Sequence, residues 1–376
     1  WAKTAIDAHG GFCEELSHKS TPNWNAVRRV RVQARQIFTY CLAAENRWFD
    51  GLATAQNTLD FMLTKGFMPD GEPGFVSLLN PNLSVRDPRR DLYDHAFYLL
   101  ALAWHYRITG QRTSLALADS VLGFLDRELG ADNGGFFEGL PAGDPRNALR
   151  RQNPHMHLLE AFMALYDASN EAKYLHRATD MISLFEQHFF DVDTDTITEF
   201  FHRNWVPARG RQGKSVEPGH MAEWIWLLGQ YQSRSHISTR KWADKLYTKI
   251  KSYEPDSALF LIDEMDKTDA RVRATKRLWV QTELVKAHLA QAEFGALTQR
   301  GSALVQATAT LDGIKEHYLR PDGTWIDQLG ETSLPVLGAI PTSTFYHIIC
   351  MISEACRVVD VIKDEGVHSS TIRTRK

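Results

Sequence analysis

Several familiar signals are missing from this 376-residue chain, and each absence narrows what it can be. Cysteine is scarce: Cys13, Cys41, Cys350 and Cys356 stand far apart, with no C-x-x-C pair. That spacing fits neither a zinc knuckle nor a dense disulfide framework, and it suits a reducing compartment such as the cytoplasm. Neither sign of charge is in surplus, with 43 Lys+Arg against 46 Asp+Glu. No basic field recommends a nucleic-acid or anionic-membrane partner. One uncharged run, 332–353, is long enough to span a bilayer, but it holds Pro335, Gly338, Pro341 and many hydroxyls. A spanning helix needs about 20 mostly apolar residues. The first twenty residues carry acids and histidines where a signal peptide needs an apolar core. Also missing are both glycine-rich nucleotide loops, G-x-S-x-G and H-E-x-x-H. The expectation is a soluble, cytoplasmic protein with a small-molecule substrate and no nucleic-acid or membrane partner.

What the chain does have is helical periodicity and a rhythm. Apolar residues recur at three- and four-residue steps, and twelve helices are expected, near 1–17, 25–45, 48–65, 94–109, 112–129, 156–169, 171–188, 218–234, 237–252, 274–294, 297–319 and 343–362. Short links near Asn46, Gly110, Asn170, Ser235 and Gly295 alternate with excursions of some 20 to 30 residues. The excursions carry turn chemistry such as Asp132-Asn133-Gly134-Gly135 and short strand-like runs such as 191–201. A short link makes two helices antiparallel neighbours, so strict alternation puts every excursion at one end of the molecule. Five hairpins are explicit, and the first and last helices can pair as a sixth. A solenoid would need polar capping repeats; six hairpins with one elaborated face suit an all-α, closed (α/α)6 barrel. No linker divides the chain, so residues 1–362 read as one domain, with 363–376 a polar, frayed tail.

The helix after each excursion opens with polar or aromatic residues where a core should be. From Arg35 through His95, His157, His220, Trp279 to His347 the steps are 60, 62, 63, 59 and 68 residues. If the ring closes, these positions converge on one pocket. His157, His220 and His347 each interrupt an otherwise apolar stretch, and burying such groups without partners costs about 1–3 kcal/mol each. A shared polar cavity explains all three. Arg35 could anchor a substrate oxygen or pair with Glu45 or Asp94. Tyr93 and Trp279 could be core aromatics or walls for the C–H face of a sugar. Glu223, three residues after His220, makes a usable metal-ligand pair, yet no acidic cluster in the sequence completes a metal site.

Imidazoles without an obvious nucleophile suit proton transfer, because histidine titrates near pH 6.5 and both takes and returns a proton. Removing the proton beside a sugar carbonyl gives an enediolate, whose charge arginine or histidine can stabilise. Returning it to the neighbouring carbon is aldose–ketose isomerisation; two bases on opposite faces of one carbon give epimerisation. Asp94, Glu160, Glu223 and Glu283 near the same rim keep an inverting glycosidase in view, since that chemistry needs two carboxylates. A helical-repeat interaction scaffold is the non-enzymatic alternative.

In order along the chain, LYDHAF, NPHMHLLEA, EPGHMAEW, LWVQTE and the closing YH resemble the N-acylglucosamine 2-epimerase superfamily of (α/α)6 barrels. The resemblance runs from Arg35 to His347. It implies that His220 and His347 are the acid/base pair and that His157 supports the enediolate and positions the ring-opened sugar. Arg35, in an R-x-x-F-T match, would bind substrate oxygens. Glu223 would orient the neighbouring histidine, and Tyr93, Asn153, Trp279 and Gln281 would shape the sugar site. It also implies that no metal or organic cofactor is used. Cellobiose epimerases close with proline-tyrosine-histidine-asparagine-glycine-arginine, whereas Tyr346-His347 is followed here by Ile348-Ile349. That departure looks more like the isomerases, and implies interconversion of D-mannose and D-fructose. A 2-epimerase of mannose and glucose, or of an acylamino sugar, is the alternative. A monomer and a homodimer fit the pattern equally.

Overall fold

The computed structural model describes residues 1–253, 259–336 and 338–373, the last ten by backbone alone. Among the described residues there are twelve α-helices: α1 (Val30–Glu45), α2 (Leu52–Gly66), α3 (Leu92–Thr109), α4 (Arg112–Phe124), α5 (Gln152–Ser169), α6 (Ala172–Leu184), α7 (Gly210–Lys214), α8 (Pro218–Ser235), α9 (Arg240–Tyr253), α10 (Leu278–Phe294), α11 (Leu297–His317) and α12 (Thr344–Arg373). Helices α1, α3, α5, α8, α10 and α12 form the inner ring, each packed on the next and α12 packed back on α1. Their stretches are apolar nearly all round, as rods covered on both sides must be; in α3 even His95 and His105 are fully buried. Helices α2, α4, α6, α9 and α11 lie outside, each returning antiparallel after a short link. The fold is an (α/α)6 barrel.

The twelfth helix is not where the periodicity put it. Residues 1–17 form turns and bridges, not a rod, and α7 is a five-residue turn of helix inside an excursion. Asp7, Gly10 and Gly11 there make a tight turn that competes with helix, with Asp7 accepting from the amides of His9 and Gly11. Among the described residues, no outer helix therefore lies against α12. Its Ile352 is 36% exposed, whereas Tyr40, Leu102, Phe162 and Ile225, at the same offset on α1, α3, α5 and α8, are at most 4% exposed. The backbone of α12 continues past the expected start of the tail at 363; residues 374–376, its end, lie outside the described residues.

The excursions gather at one end and knit it together. A residue pair at or just before the start of each of the first five inner helices pairs antiparallel with a strand of the next excursion: 28–29 with 78–79, 90–91 with 139–140, 150–151 with 200–201, 215–216 with 265–266, and 276–277 with 328–329. Residues 340–341 then pair with 15–16, so the girdle closes on itself. Thr342 reinforces the closure, its Oγ1 donating to the Cys13 carbonyl at 2.7 Å. All four cysteines are free thiols, three of them buried. No described helix is long and apolar enough to cross a membrane.

Candidate active site

At the girdled end, inside the inner ring, a cavity of about 270 Å³ is lined by Arg35, Tyr93, Asn153, His157, Glu217, His220, Glu223, Arg277, Trp279, Ser343, Thr344 and His347. Eight of the nine residues expected at the site are there. Larger hollows of about 540 and 900 Å³ lie elsewhere, but neither gathers histidines. The volume is at the small end for ligand sites.

Gln281 is the exception, and its case explains an error of phase. Its Oε1 accepts from the Leu261 amide at 2.9 Å, and its Nε2 donates to the Leu261 and Arg277 carbonyls. It holds an excursion in place and does not reach the cavity. His95 and His155 do the same work for their own excursions. Each Nε2 accepts from a phenylalanine amide (Phe75 at 3.1 Å, Phe136 at 3.0 Å) while Nδ1 bonds a carbonyl one turn back. Burial pushes their pKa values down to about 4 and about 3, which keeps both neutral, as one donor and one acceptor require. The register that brings side chains against the pocket histidines is Arg35, Phe97, His157, His220, Glu283 and His347, with steps of 62, 60, 63, 63 and 64 residues; Phe97 packs on His157 and Glu283 bonds His347 behind the cavity wall.

Each pocket histidine is tied to a carboxylate. His157 Nδ1 lies 3.1 Å from Glu160 Oε2, His220 Nδ1 3.0 Å from Glu199 Oε2, and His347 Nδ1 2.8 Å from Glu283 Oε1. An ionised carboxylate only accepts, so each Nδ1 carries the hydrogen. Nε2 of His157 and of His347 has no hydrogen-bond partner among the described residues. Glu199 is held in turn by Gln152, which donates at 2.9 Å and accepts from Trp224 Nε1 at 2.7 Å.

The three imidazoles are not equivalent. Burial pushes His347 well below the usual histidine range, and the Arg35 and Lys286 charges push the same way. His157 is lowered chiefly by burial, against the pull of Glu160. His220 is also buried, but attraction to Glu199 and Glu217 outweighs desolvation and lifts it to about 9. At neutral pH the pocket thus pairs a cationic His220 with a neutral His347. Trp279 stands between them, its ring centroid 5.5 Å from His220 and 5.6 Å from His347. Asn153 Nδ2 is 3.1 Å from His220 Nε2, and Asn153 Oδ1 is buried without a partner. With both ring nitrogens protonated Nε2 donates, so the amide must turn to present that oxygen; the two orientations are isosteric.

Arg35 pairs with neither Glu45 nor Asp94, which bind Arg107 and Arg31. Its guanidinium lies 4.1 Å from the Phe97 ring centroid, donates to Tyr93 Oη at 2.7 Å, and keeps Nε unpartnered. It is a cation with spare donors. Arg277, by contrast, lies 3.1 Å from Asp263 and 3.5 Å from Glu217.

No acidic cluster that completes a metal site is expected from the sequence; among the described residues the fold supplies three. His157–Glu160–Glu223, Glu199–Glu217–His220 and Glu223–Glu283–His347 each bring three ligand atoms within 4.8 Å of one another. Each cluster takes at least one acid from another helix or from an excursion, so spacing along one helix could not reveal it whole. Glu223 does not hold His220 as expected; its Oε1 lies 3.9 Å from His157 Nδ1, and burial beside Glu283 raises its pKa strongly. Of the four carboxylates considered for glycoside cleavage, Glu160 and Glu283 hold histidines, and Asp94 binds Arg31. Glu199, Glu217, Arg277, Ser343 and Thr344 were missed altogether. An acid inside the apolar run Ile197–Phe201 was the available clue to Glu199.

The N-acylglucosamine 2-epimerase (GlcNAc 2-epimerase) family profile matches residues 10–351. The chain belongs to this family. With that membership it is a sugar isomerase or 2-epimerase. It is 30% identical over 370 residues to the mannose-6-phosphate isomerase of Rhizobium meliloti (strain 1021), covering 94% of this chain and 92% of that one. Among solved structures it resembles a D-mannose isomerase (TM-score 0.82, 20% identity, 95% of this chain and 94% of that one). It also resembles the cellobiose 2-epimerase of Spirochaeta thermophila DSM 6192 (TM-score 0.83, 22% identity, 96% and 93%). At those identities the two structures speak for the fold.

Proposed function

We propose that this pocket interconverts free D-mannose and D-fructose by proton transfer through a cis-enediolate. The observation that carries the reading is the convergence of His220 and His347 on one small cavity, on either side of Trp279 and with His347 Nε2 unpartnered among the described residues. In the open-chain aldose, His347 takes the proton from C2 and the electron pair moves into a C1–C2 double bond. His220 protonates O1 and then accepts the O2 proton, while His347 returns its proton to C1, leaving the carbonyl at C2. Arg35 meets the charge on the oxygens, and His157 and Asn153 position the chain. Tyr93 and Trp279 face the apolar side of the sugar. Residues 1–362 act as one catalytic domain, since the first and last inner helices supply Arg35 and His347. No metal or organic cofactor takes part in this reading, because histidine alone can move a proton beside a carbonyl.

The Rhizobium relative's name points to a phosphorylated substrate. The lining of this cavity favours the free sugar. Arg277 is already matched by Asp263 and Glu217, which leaves Arg35 as the one lining arginine without a carboxylate. A phosphate dianion has too little to bind.

The position of Trp279 between two imidazoles on different helices also suits attack from either face of C2, the requirement for 2-epimerisation. Mannose in D2O, followed by NMR, decides. Fructose as first product with deuterium at C1 supports the isomerase; glucose deuterated at C2 without free ketose overturns it in favour of the epimerase.

A further inference from the structure

Beneath the sugar pocket lies a contact that joins opposite sides of the ring. Helices α5 and α12 are three places apart among the six inner helices and do not pack side by side. Nevertheless the Tyr346 hydroxyl lies 2.5 and 2.6 Å from the two oxygens of Glu160. Tyr346 is fully buried, and Glu160 and His157 are 6% and 3% exposed. We propose that Tyr346 and Glu160 form a positioning bridge across the bore that locks His157 in the Nδ1–H tautomer and makes its Nε2 an acceptor for a sugar hydroxyl. The proposal rests on the reading of this pocket as a sugar site and assigns His157 a narrower role within it.

The chemistry runs in one direction. Burial holds the Tyr346 phenol well above its usual range, so it keeps its hydrogen and donates it. Glu160 is buried too, but the hydrogen bond from His157, the Lys286 charge and the hydrogen bond from Tyr346 hold it below the usual carboxylate range. An ionised carboxylate that accepts from Tyr346 has only acceptors left for His157. His157 Nδ1 must then donate, and in a neutral imidazole the lone pair falls to Nε2. An imidazole in that state receives a hydroxyl hydrogen and cannot donate to an enediolate oxygen. Support for that charge falls to Arg35 and His220.

The bridge is also a floor. Glu160 lines the cavity of about 900 Å³ that opens at the far end of the barrel, together with Trp226, Gln230 and Cys350.

The test is Tyr346→Phe in the full chain. The ring keeps its packing on Phe97 and Phe38, and only the hydroxyl is lost. Without the hydroxyl Glu160 is no longer pinned and can turn away from His157, so nitrogen-15 NMR of the imidazoles, without any sugar, should show one Nδ1–H tautomer at His157 in the wild type and a mixture in the variant. On whichever sugar the wild type turns over, kcat should fall by about a hundredfold, with KM changed by less than about threefold. Glu160→Gln should likewise lose the single tautomer, and it serves if Tyr346→Phe does not fold. An unchanged His157 tautomer in the folded variants overturns the proposal, and so does a mixed tautomer with kcat unaltered. Should the wild type turn over neither mannose nor fructose, the proposed function fails, while the NMR still judges the bridge.

Discussion

Glu283 Oε1 lies 2.8 Å from His347 Nδ1, the closest of the three carboxylate–imidazole links in the pocket. Glu283 is itself ion-paired to Lys286 Nζ at 2.6 Å, and both are fully buried. A base whose ring is held this way cannot rotate, and its working lone pair points where the sugar must lie. Glu283→Gln leaves a neutral amide beside an unpaired buried lysine. Activity should fall by about a hundredfold or more, and the thermal midpoint should drop as well, since breaking a buried pair costs about 3–5 kcal/mol. His347→Asn should abolish turnover with a smaller change in midpoint. Steady-state rates and calorimetry on both variants check this.

The pH profile follows from His220. Glu199 and Glu217 keep it cationic up to about pH 9, so its proton is present at neutral pH and leaves as pH rises through that value. The rate should fall on that alkaline side. Glu199→Gln removes the first attraction and should move the falling limb toward neutral pH. On the acid side His347, lowered well below the usual range, stays neutral, so the rate should hold into mildly acidic buffer.

Substrate charge is testable directly. Mannose 6-phosphate should give kcat/KM at least about tenfold below mannose, since it offers a dianion to a cavity with a single unmatched arginine. Arg35→Met should depress kcat/KM for mannose by about a hundredfold or more, the scale for removing a donor to a developing oxyanion.

Chelation separates two uses of the same residues. The three His–carboxylate groups have the composition of metal ligands, but the proposed steps use them as hydrogen-bonded pairs. Activity after EDTA dialysis should match the untreated enzyme, and a loss restored by a divalent ion would reject the cofactor-free mechanism.

Gly135 tests the scaffold apart from the chemistry. Its φ is +65°, and a Cβ there would sit 2.8 Å from His155 Nε2 and 3.0 Å from Trp205. Gly135→Ala should destabilise the fold by about 1–3 kcal/mol, with kcat per folded molecule preserved. Denaturant melts with active-site titration read both.

The barrel was legible because its signal is repetitive. Alternating short and long connections give the hairpins, their order and the end that carries the excursions without any contact being known. His157, His220 and His347 were legible because a polar side chain in an apolar stretch needs company. Registers finer than a turn were not. His95 looked like a pocket residue, yet two positions along α3 turn a side chain through about 200°, and the residue at pocket height is Phe97. Trp279 does reach the cavity, but the α10 residue in register with the histidines is Glu283, one turn further. Glu160 and Glu283 were in view only as glycosidase candidates; that they hold histidines was hidden, as was Glu199, because His347 and Glu283 lie on different helices and Glu199 sits in an excursion. The helix expected over 1–17 failed because helical spacing of apolar residues is equally met by a glycine-rich turn.

The closing contact of the girdle joins positions 329 apart in the chain, Cys13 and Thr342. During synthesis, the first repeat leaves the ribosome long before its partner exists. His347 lies beyond that partner, so no partial barrel holds a complete set of imidazoles. Chain closure over such a separation is slow, and until it occurs the buried arginine and acids of the inner wall face water. A chain that stopped before Thr344 would leave a ring without its last rod and a pocket without His347.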